Sequence, residues 1–215
     1  PTSTIHDHLR TLEHEEYLVK SDGDYYVGTR FLGIGEQARS RQKVYTIARQ
    51  EVDELANETG EHTNLMIEEH GRGVFLYKSR GPDAVQLDTH AGMRVPLQTT
   101  AMGKSILAFR SREEVDAIID RHGLPQITEK TITDREELYD ELDEIEERGY
   151  AYDDEERVKG MRCVAAPITD DEGRAIAAMS VSGPKSRLRG KQFREEVPDL
   201  ILSSANVIEV NLTYS

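Results

Sequence analysis

The spacing of apolar residues changes several times along the chain, and each change predicts an element. Ile5, Leu9 and Leu12 recur at helical spacing behind Thr2 or Ser3 as a cap, predicting a helix to about residue 15. Tyr17-Leu18-Val19 and Tyr25-Tyr26-Val27 flank Ser21-Asp22-Gly23-Asp24, a hairpin signal. Val44, Ile47, Ala48, Val52 and Leu55 return to a period of 3.6 and predict a long helix over about 39–58, stopped by Gly60. Short strands are predicted at about 62–68, 74–79 and 85–90, the first two joined by a turn at His70-Gly71-Arg72-Gly73. Residues 103–109 read as a helix. Ser111-Arg112-Glu113-Glu114 reads as a capping box opening a helix that stops near Gly123. Thr133-Asp134-Arg135-Glu136 reads as a second capping box, opening a helix with an inward stripe of Leu138, Leu142 and Ile145 that Gly149 ends. Residues 161–169 and 175–182 are apolar strands around an Asp170-Asp171-Glu172-Gly173 turn, and the C-terminal segment is helical, with Pro198 near the start of its last section. Strands in hairpins with interspersed helices predict an α+β fold with an antiparallel sheet.

Charge adds to this picture. The 215 residues carry 41 acidic and 27 basic side chains, for a net charge of −14, and only 8 of the basic residues are Lys. An acidic, Lys-poor surface points to a halophilic source, since salt screens the repulsion between clustered carboxylates. An ordinary acidic cytosolic protein has the same balance. Residues 134–156 alone hold 13 acidic and 2 basic side chains, and their helical apolar spacing makes this run a solvated helix face and not a disordered tail. The lone Cys163 forms no intrachain disulfide and fits a reducing, cytoplasmic setting. No apolar run is long enough to span a membrane, so no membrane partner is expected. No zinc spacing, phosphate-binding glycine loop or other cofactor signature is present. The chain opens on Pro1 with no signal peptide, which suggests N-terminal truncation.

Three polar groups interrupt the apolar 161–182 hairpin: Cys163, Ser180 and Ser182. The two serines are two apart and share a strand face, as the walls of a pocket for a small polar ligand would require. Taken singly, a serine pair on a strand is ordinarily edge solvation, and a lone cysteine is ordinarily a small buried hydrophobe. Thr99-Thr100-Ala101-Met102-Gly103 leads into a helix whose free N–H groups favour an anion such as a carboxylate. Gly103 and the small Ala101 would let a ligand approach the backbone.

The runs Gly149-Tyr150…Asp153…Glu155-Glu156…Gly160…Cys163 and Ser180-Val181-Ser182-Gly183-Pro184-Lys185-Ser186-Arg187-Leu188 resemble the effector-binding domain of the isocitrate lyase regulator (IclR) family of transcription factors. The resemblance continues through Val95-Pro96-Leu97, Thr99 to Ala108, and Ser3-Thr4-Ile5-His6. It implies a partial winged helix-turn-helix over 1–30 (recognition helix and wing), a linker helix over 31–60, and a curved antiparallel-sheet effector-binding domain over 61–215. By the same resemblance the backbone of Ala101 and Met102 would hold a ligand carboxylate. Asp153, Cys163, Ser180 and Ser182 would supply polar contacts, and Leu87, Val95 and Met161 would wall the pocket. The family often has Gly at the position of Ala101 and a smaller residue at that of Met102, so the pocket here is narrowed. Ser3, Thr4, His6 and Arg10 are the candidates for contact with DNA. Asp7 stands where a basic residue is common, and residues 1–35 hold 6 acidic and 3 basic side chains, which opposes phosphate contact.

The implied function is a ligand-responsive transcription regulator. Its partners would be operator DNA, bound with the help of upstream helices, a small organic acid effector, and further copies of itself in a dimer or tetramer. The alternatives are a stand-alone ligand-binding module, an enzyme using Cys163 as nucleophile with His62 or His90 as base, and a metal sensor ligated by Cys163, Asp153 and a histidine. No Cys-His motif or metal spacing supports the last two.

Overall fold

The computed structural model describes residues 2–214, with side chains described from Thr4 to Tyr214. The chain divides into two compact units that meet between Gln42 and Lys43.

The first unit contains α1 (Thr2–His14), an antiparallel hairpin of β1 (Leu18–Ser21) and β2 (Asp24–Val27), and α2 (Arg30–Ser40). Asp22 and Gly23, both with positive φ, close the hairpin in the two-residue turn that their types favour. The cap expected from Thr2 or Ser3 involves side chains outside the described residues. The helix α2 falls within the 31–60 linker that the resemblance implied as one helix, but the segment is two helices, α2 and a second from Lys43; apolar periodicity alone missed α2, which has no buried residue.

The second unit is α+β. Its six-stranded antiparallel sheet has the order β5-β4-β3-β8-β7-β6, built from β3 (His62–Glu69), β4 (Arg72–Arg80), β5 (Arg94–Val95), β6 (Ala151–Asp154), β7 (Met161–Thr169) and β8 (Ala175–Pro184). Register shifts at Leu65/Met66 and Ile168/Thr169 bend the long strands. Strand alternation sends side chains into two cores. Leu65, Val164, Ala166, Ile168, Met179 and Val181 pack with α3 (Lys43–Thr59) and α7 (Val197–Thr213). Met66, Cys163, Ala165 and Ala178 pack on the other face with α4 (Ala101–Ala108), α5 (Arg112–His122) and α6 (Arg135–Arg148).

The helix expected at 39–58 is α3, stopped by Gly60 at φ 74°. Ser111 forms the expected capping box with Glu114. The second box takes a different form: Asp134, not Thr133, is the cap, accepting from the N–H groups of Glu136 and Glu137 at 2.9 and 3.0 Å. In α6, Leu138, Leu142 and Ile145 are buried while Glu136, Asp140, Asp143 and Glu147 face solvent, as a charged amphipathic helix must.

The strand expected at 85–90 does not form. The β4 edge is instead taken by the short β5, and residues 81–93 run as an irregular strap. Side chains of the neighbouring strands tie that strap down: Lys78 Nζ donates to the Leu87 and Thr89 carbonyls at 3.2 and 3.1 Å, Arg80 binds the Ala84 carbonyl, and the His62 ring meets that of Val85. The alternation of Val85, Leu87 and Thr89 is strand-like, but it cannot reveal which backbone groups find ladder partners.

Candidate functional site

Sheet register assembles a polar floor from residues far apart in sequence. One rung runs His62–Ser182–Cys163–Asp153 across β3, β8, β7 and β6. The next runs Lys78–Asn64–Ser180–Ala165 across β4, β3, β8 and β7. Directly opposed residues point to one face, so a spacing of two within each strand becomes a two-dimensional patch. The Asn64 amide donates to Ser180 Oγ at 3.3 Å and Ser182 Oγ at 3.5 Å, and Ser182 Oγ donates to Cys163 Sγ at 3.1 Å. The buried Asn64 Oδ1 has no hydrogen-bond partner, which leaves one acceptor for a ligand donor.

Above this patch lies a cavity lined by Asn64, Phe75, Leu87, Asp88, Thr89, Thr100, Met102, Asp153, Arg157, Val158, Met161, Arg162, Cys163 and Ser182. Its volume is about 520 Å³ with the open mouth included, room for a small molecule only. The start of α4 borders it through Thr100 and Met102. Thr100 Oγ1 accepts the Gly103 N–H at 2.9 Å, and its carbonyl accepts the Lys104 N–H at 3.0 Å. The N–H groups of Ala101 and Met102 meet no acceptor among the described residues, so the positive end of the helix stays open there.

Burial controls the ionisation of the floor. It pushes the Asp153 carboxyl up to about 7, with the neighbouring Glu156 charge adding to the effect. The Glu156 N–H donates to Asp153 Oδ1 at 2.7 Å and pulls in the opposite direction. Burial, reinforced by Asp153, pushes the Cys163 thiol to about 12. A thiol so far from ionisation is a packing and hydrogen-bonding group, not a nucleophile. Behind the floor, the fully buried Lys104 of α4 binds Glu156 Oε1 at 2.8 Å and Glu141 Oε1 at 3.4 Å. This ties α4, α6 and the loop after β6 into one charged cluster.

The expected residues are distributed as follows. Met102, Asp153, Cys163, Ser182, Leu87 and Met161 line the cavity. Ser180 sits one rung further in, outside the cavity lining, and acts on it through Asn64 and the Cys163 thiol. Ala101 is wholly buried in the α4-side core and can offer a ligand only its backbone. Val95 belongs to that same core and does not line the cavity, because β5 pairs at Gly73 and Val74 on the far side of the strap. Gly103 has a packing role: a Cβ there would collide with the Leu97 backbone, so the glycine lets α4 sit on the 3-10 turn at Leu97–Thr99 and leaves no space for a ligand. Asn64 and Arg157 were missed. Asn64 is a polar residue in an apolar strand, the signal that exposed Ser180. Arg157 lay concealed beside the acidic run.

In the first unit, Thr4, His6 and Arg10 are exposed on α1, and His6 and Arg10, four apart, share a face with position 3. The side chain of Ser3 lies outside the described residues. The β1–β2 hairpin follows α1 directly, as a wing follows a recognition helix.

A family model described as bacterial transcriptional regulator IclR C-terminal matches residues 36–210. The "Probable HTH-type transcriptional regulator ArcR" of Halobacterium salinarum is 35% identical over 98% of this chain and 81% of its own length. The HTH-type transcriptional regulator KdgR of Escherichia coli is 31% identical over 99% of this chain and 81% of its own. The crystal structure of the Thermotoga maritima IclR is 31% identical with a TM-score of 0.83, covering 99% of this chain and 86% of that one.

Proposed function

The chain belongs to the IclR family of transcriptional regulators, and from that premise we propose that its sheet unit senses a small carboxylic or keto acid whose binding alters the affinity of the first unit for DNA. The observation that carries this reading is the pairing of two features at one cavity. The Ala101 and Met102 N–H groups meet no acceptor among the described residues, and Asn64, Ser182 and Cys163 form a hydrogen-bonded polar floor. A carboxylate would take the N–H groups, which carry the positive end of the α4 dipole. The keto or hydroxyl end would face the floor, where the free Asn64 Oδ1 accepts and the Asn64 amide donates.

The protein is a regulator and not an enzyme: its relatives are named as regulators, and its single thiol is held far from ionisation. The DNA-facing groups would be those at positions 3, 4, 6 and 10 of α1, with the hairpin as wing. The exposed Ile5 and Leu12 of α1 would be covered by the helices that precede a recognition helix. Half-site symmetry calls for at least a dimer, which completes the proposal.

A thermal-shift screen against small carboxylic and keto acids at high salt tests the sensor. An acid at a hundred times its dissociation constant should stabilise the protein by about 2.7 kcal/mol. Ser182→Ala should abolish most of that gain while leaving the unliganded melting point near its original value. The same acid should change the gel-shift affinity of the regulator for the DNA upstream of its own gene. An unaltered ligand response in Ser182→Ala would remove the cavity from consideration as the sensor site.

A further inference from the structure

Arg157 points to the charge of the ligand, an inference that rests on the reading of the cavity as an acid site. We infer that the effector carries two anionic groups, one at the open N–H groups of α4 and the other on the Arg157 guanidinium.

Arg157 is half-buried and lines the cavity. Its guanidinium lies 5.4 Å from the centroid of the Phe75 ring, and Nη2 contacts Met93 Sδ at 3.1 Å. Among the described residues it has no carboxylate within 4.0 Å. Among the described half-buried arginines only Arg72 shares this state; Arg39, Arg110, Arg135, Arg148 and Arg162 each hold a carboxylate partner. In a protein with 14 surplus negative charges, carboxylates are abundant. A guanidinium withdrawn from water and left without one is energetically costly unless something else completes it. The aromatic ring and the thioether hold the side chain in place without neutralising it.

The two acids at the cavity do not fill this role. Asp153 accepts the Glu156 N–H, and burial favours its neutral form. Asp88 is exposed on the strap and forms no ion pair among the described residues. Arg162, the other cation in the lining, is engaged by Asp154 at 2.8 Å. Lys78, on the rung beside Asn64, spends its donors on strap carbonyls but still adds positive charge. Among the described lining residues Arg157 is therefore the cation without a carboxylate, opposed by the exposed Asp88 and by Asp153, whose neutral form burial favours. A planar guanidinium fixed against a ring is the group that reads a carboxylate in two-pronged fashion. The small volume requires a short spacer between the two acids.

Calorimetric titration of the full chain with malonate, succinate and glutarate, each against its own monoamide, isolates the second charge at constant length. The wild type should bind at least one diacid at least about ten-fold more tightly than its monoamide. Arg157→Gln should bring that ratio close to one by weakening the diacid far more than its monoamide, and Arg157→Lys should restore only part of it. Equal affinity of the wild type for diacid and monoamide, or an undiminished preference in Arg157→Gln, overturns the inference and leaves the acid-binding reading standing. If the wild type binds none of these compounds and no monocarboxylate either, the acid-binding reading fails and takes the inference with it.

Discussion

In residues 43–215 the large apolar side chains fill two cores, one on each face of a single sheet, and Leu65, Met66, Ile168 and Met179 are fully enclosed. In residues 1–42 Ile5, Val27, Phe31 and Leu32 are exposed, and Gly28 is the only buried position among the described side chains. Both regions have regular elements and apolar periodicity. The difference is that a periodic stripe states which face wants cover, and only tertiary structure states whether the same unit supplies it. The sheet unit covers most of its own stripes, with Ile127, Val207 and Val210 among the exceptions. The first unit presents them, as a module does whose ordered state is completed by a partner surface.

This contrast can be broken at three points. The largest effect is expected at Lys104. Its replacement by Ala strips Glu156 of its buried cation, and urea unfolding of the sheet unit should show a loss of about 3–5 kcal/mol. A loss below about 1 kcal/mol would mean that the cluster is not holding α4 to α6. A paired substitution then tests the contrast directly. Leu65→Ala should cost about 2–5 kcal/mol, whereas Leu32→Ala, at 75% exposure, should stay within about 0.5 kcal/mol. Similar losses at the two sites would erase the distinction between self-covering and presenting units.

The third effect is gradual, a pH dependence of the sheet unit whose size at any one step of a pH unit is smaller than either loss above. The folded-state pKa of Asp153 is raised to about 7 from an ordinary carboxylate value near 4. The folded state therefore holds a proton that the unfolded chain has released. The resulting stability is fully present below the unfolded pKa and is lost as pH rises through the folded one. The slope should approach about 1.4 kcal/mol per pH unit between roughly pH 4 and 7. Asp153→Asn should flatten it, gaining on the wild type as pH rises. A slope that persists unchanged in Asp153→Asn would assign the titration to another group.

Much of this architecture was legible in the sequence because its signals are local. Gly60, Gly149 and the Ser111–Glu114 box punctuate helices by backbone geometry that needs no tertiary context. The Ser180–Ser182 spacing announced a common face because strand period is fixed. What escaped reading depended on pairing. The segment at 85–90 has strand alternation but lies beyond the ladder. Val95 was expected at the cavity by resemblance, and its pairing with Gly73, which no sequence pattern shows, sets it in the α4-side core. Asn64 became a site residue only when register set it beside Ser180. The charge of Arg157 was visible, but its missing counter-ion could be seen only once the neighbouring side chains were in place.

The strap over residues 81–93 has a consequence for how this scaffold diversifies. Backbone hydrogen bonds hold its two ends, but between Ala84 and Thr89 its backbone is held by side chains of β3 and β4 and not by a strand ladder, so substitutions at Leu87, Asp88 or Thr89 carry no register penalty. One cavity wall can drift in shape and charge while the polar floor, locked into rungs, stays constant. If the cavity is the acid site proposed above, mutational tolerance is concentrated where ligand preference would be set, and new chemical inputs could be acquired without loss of the fold.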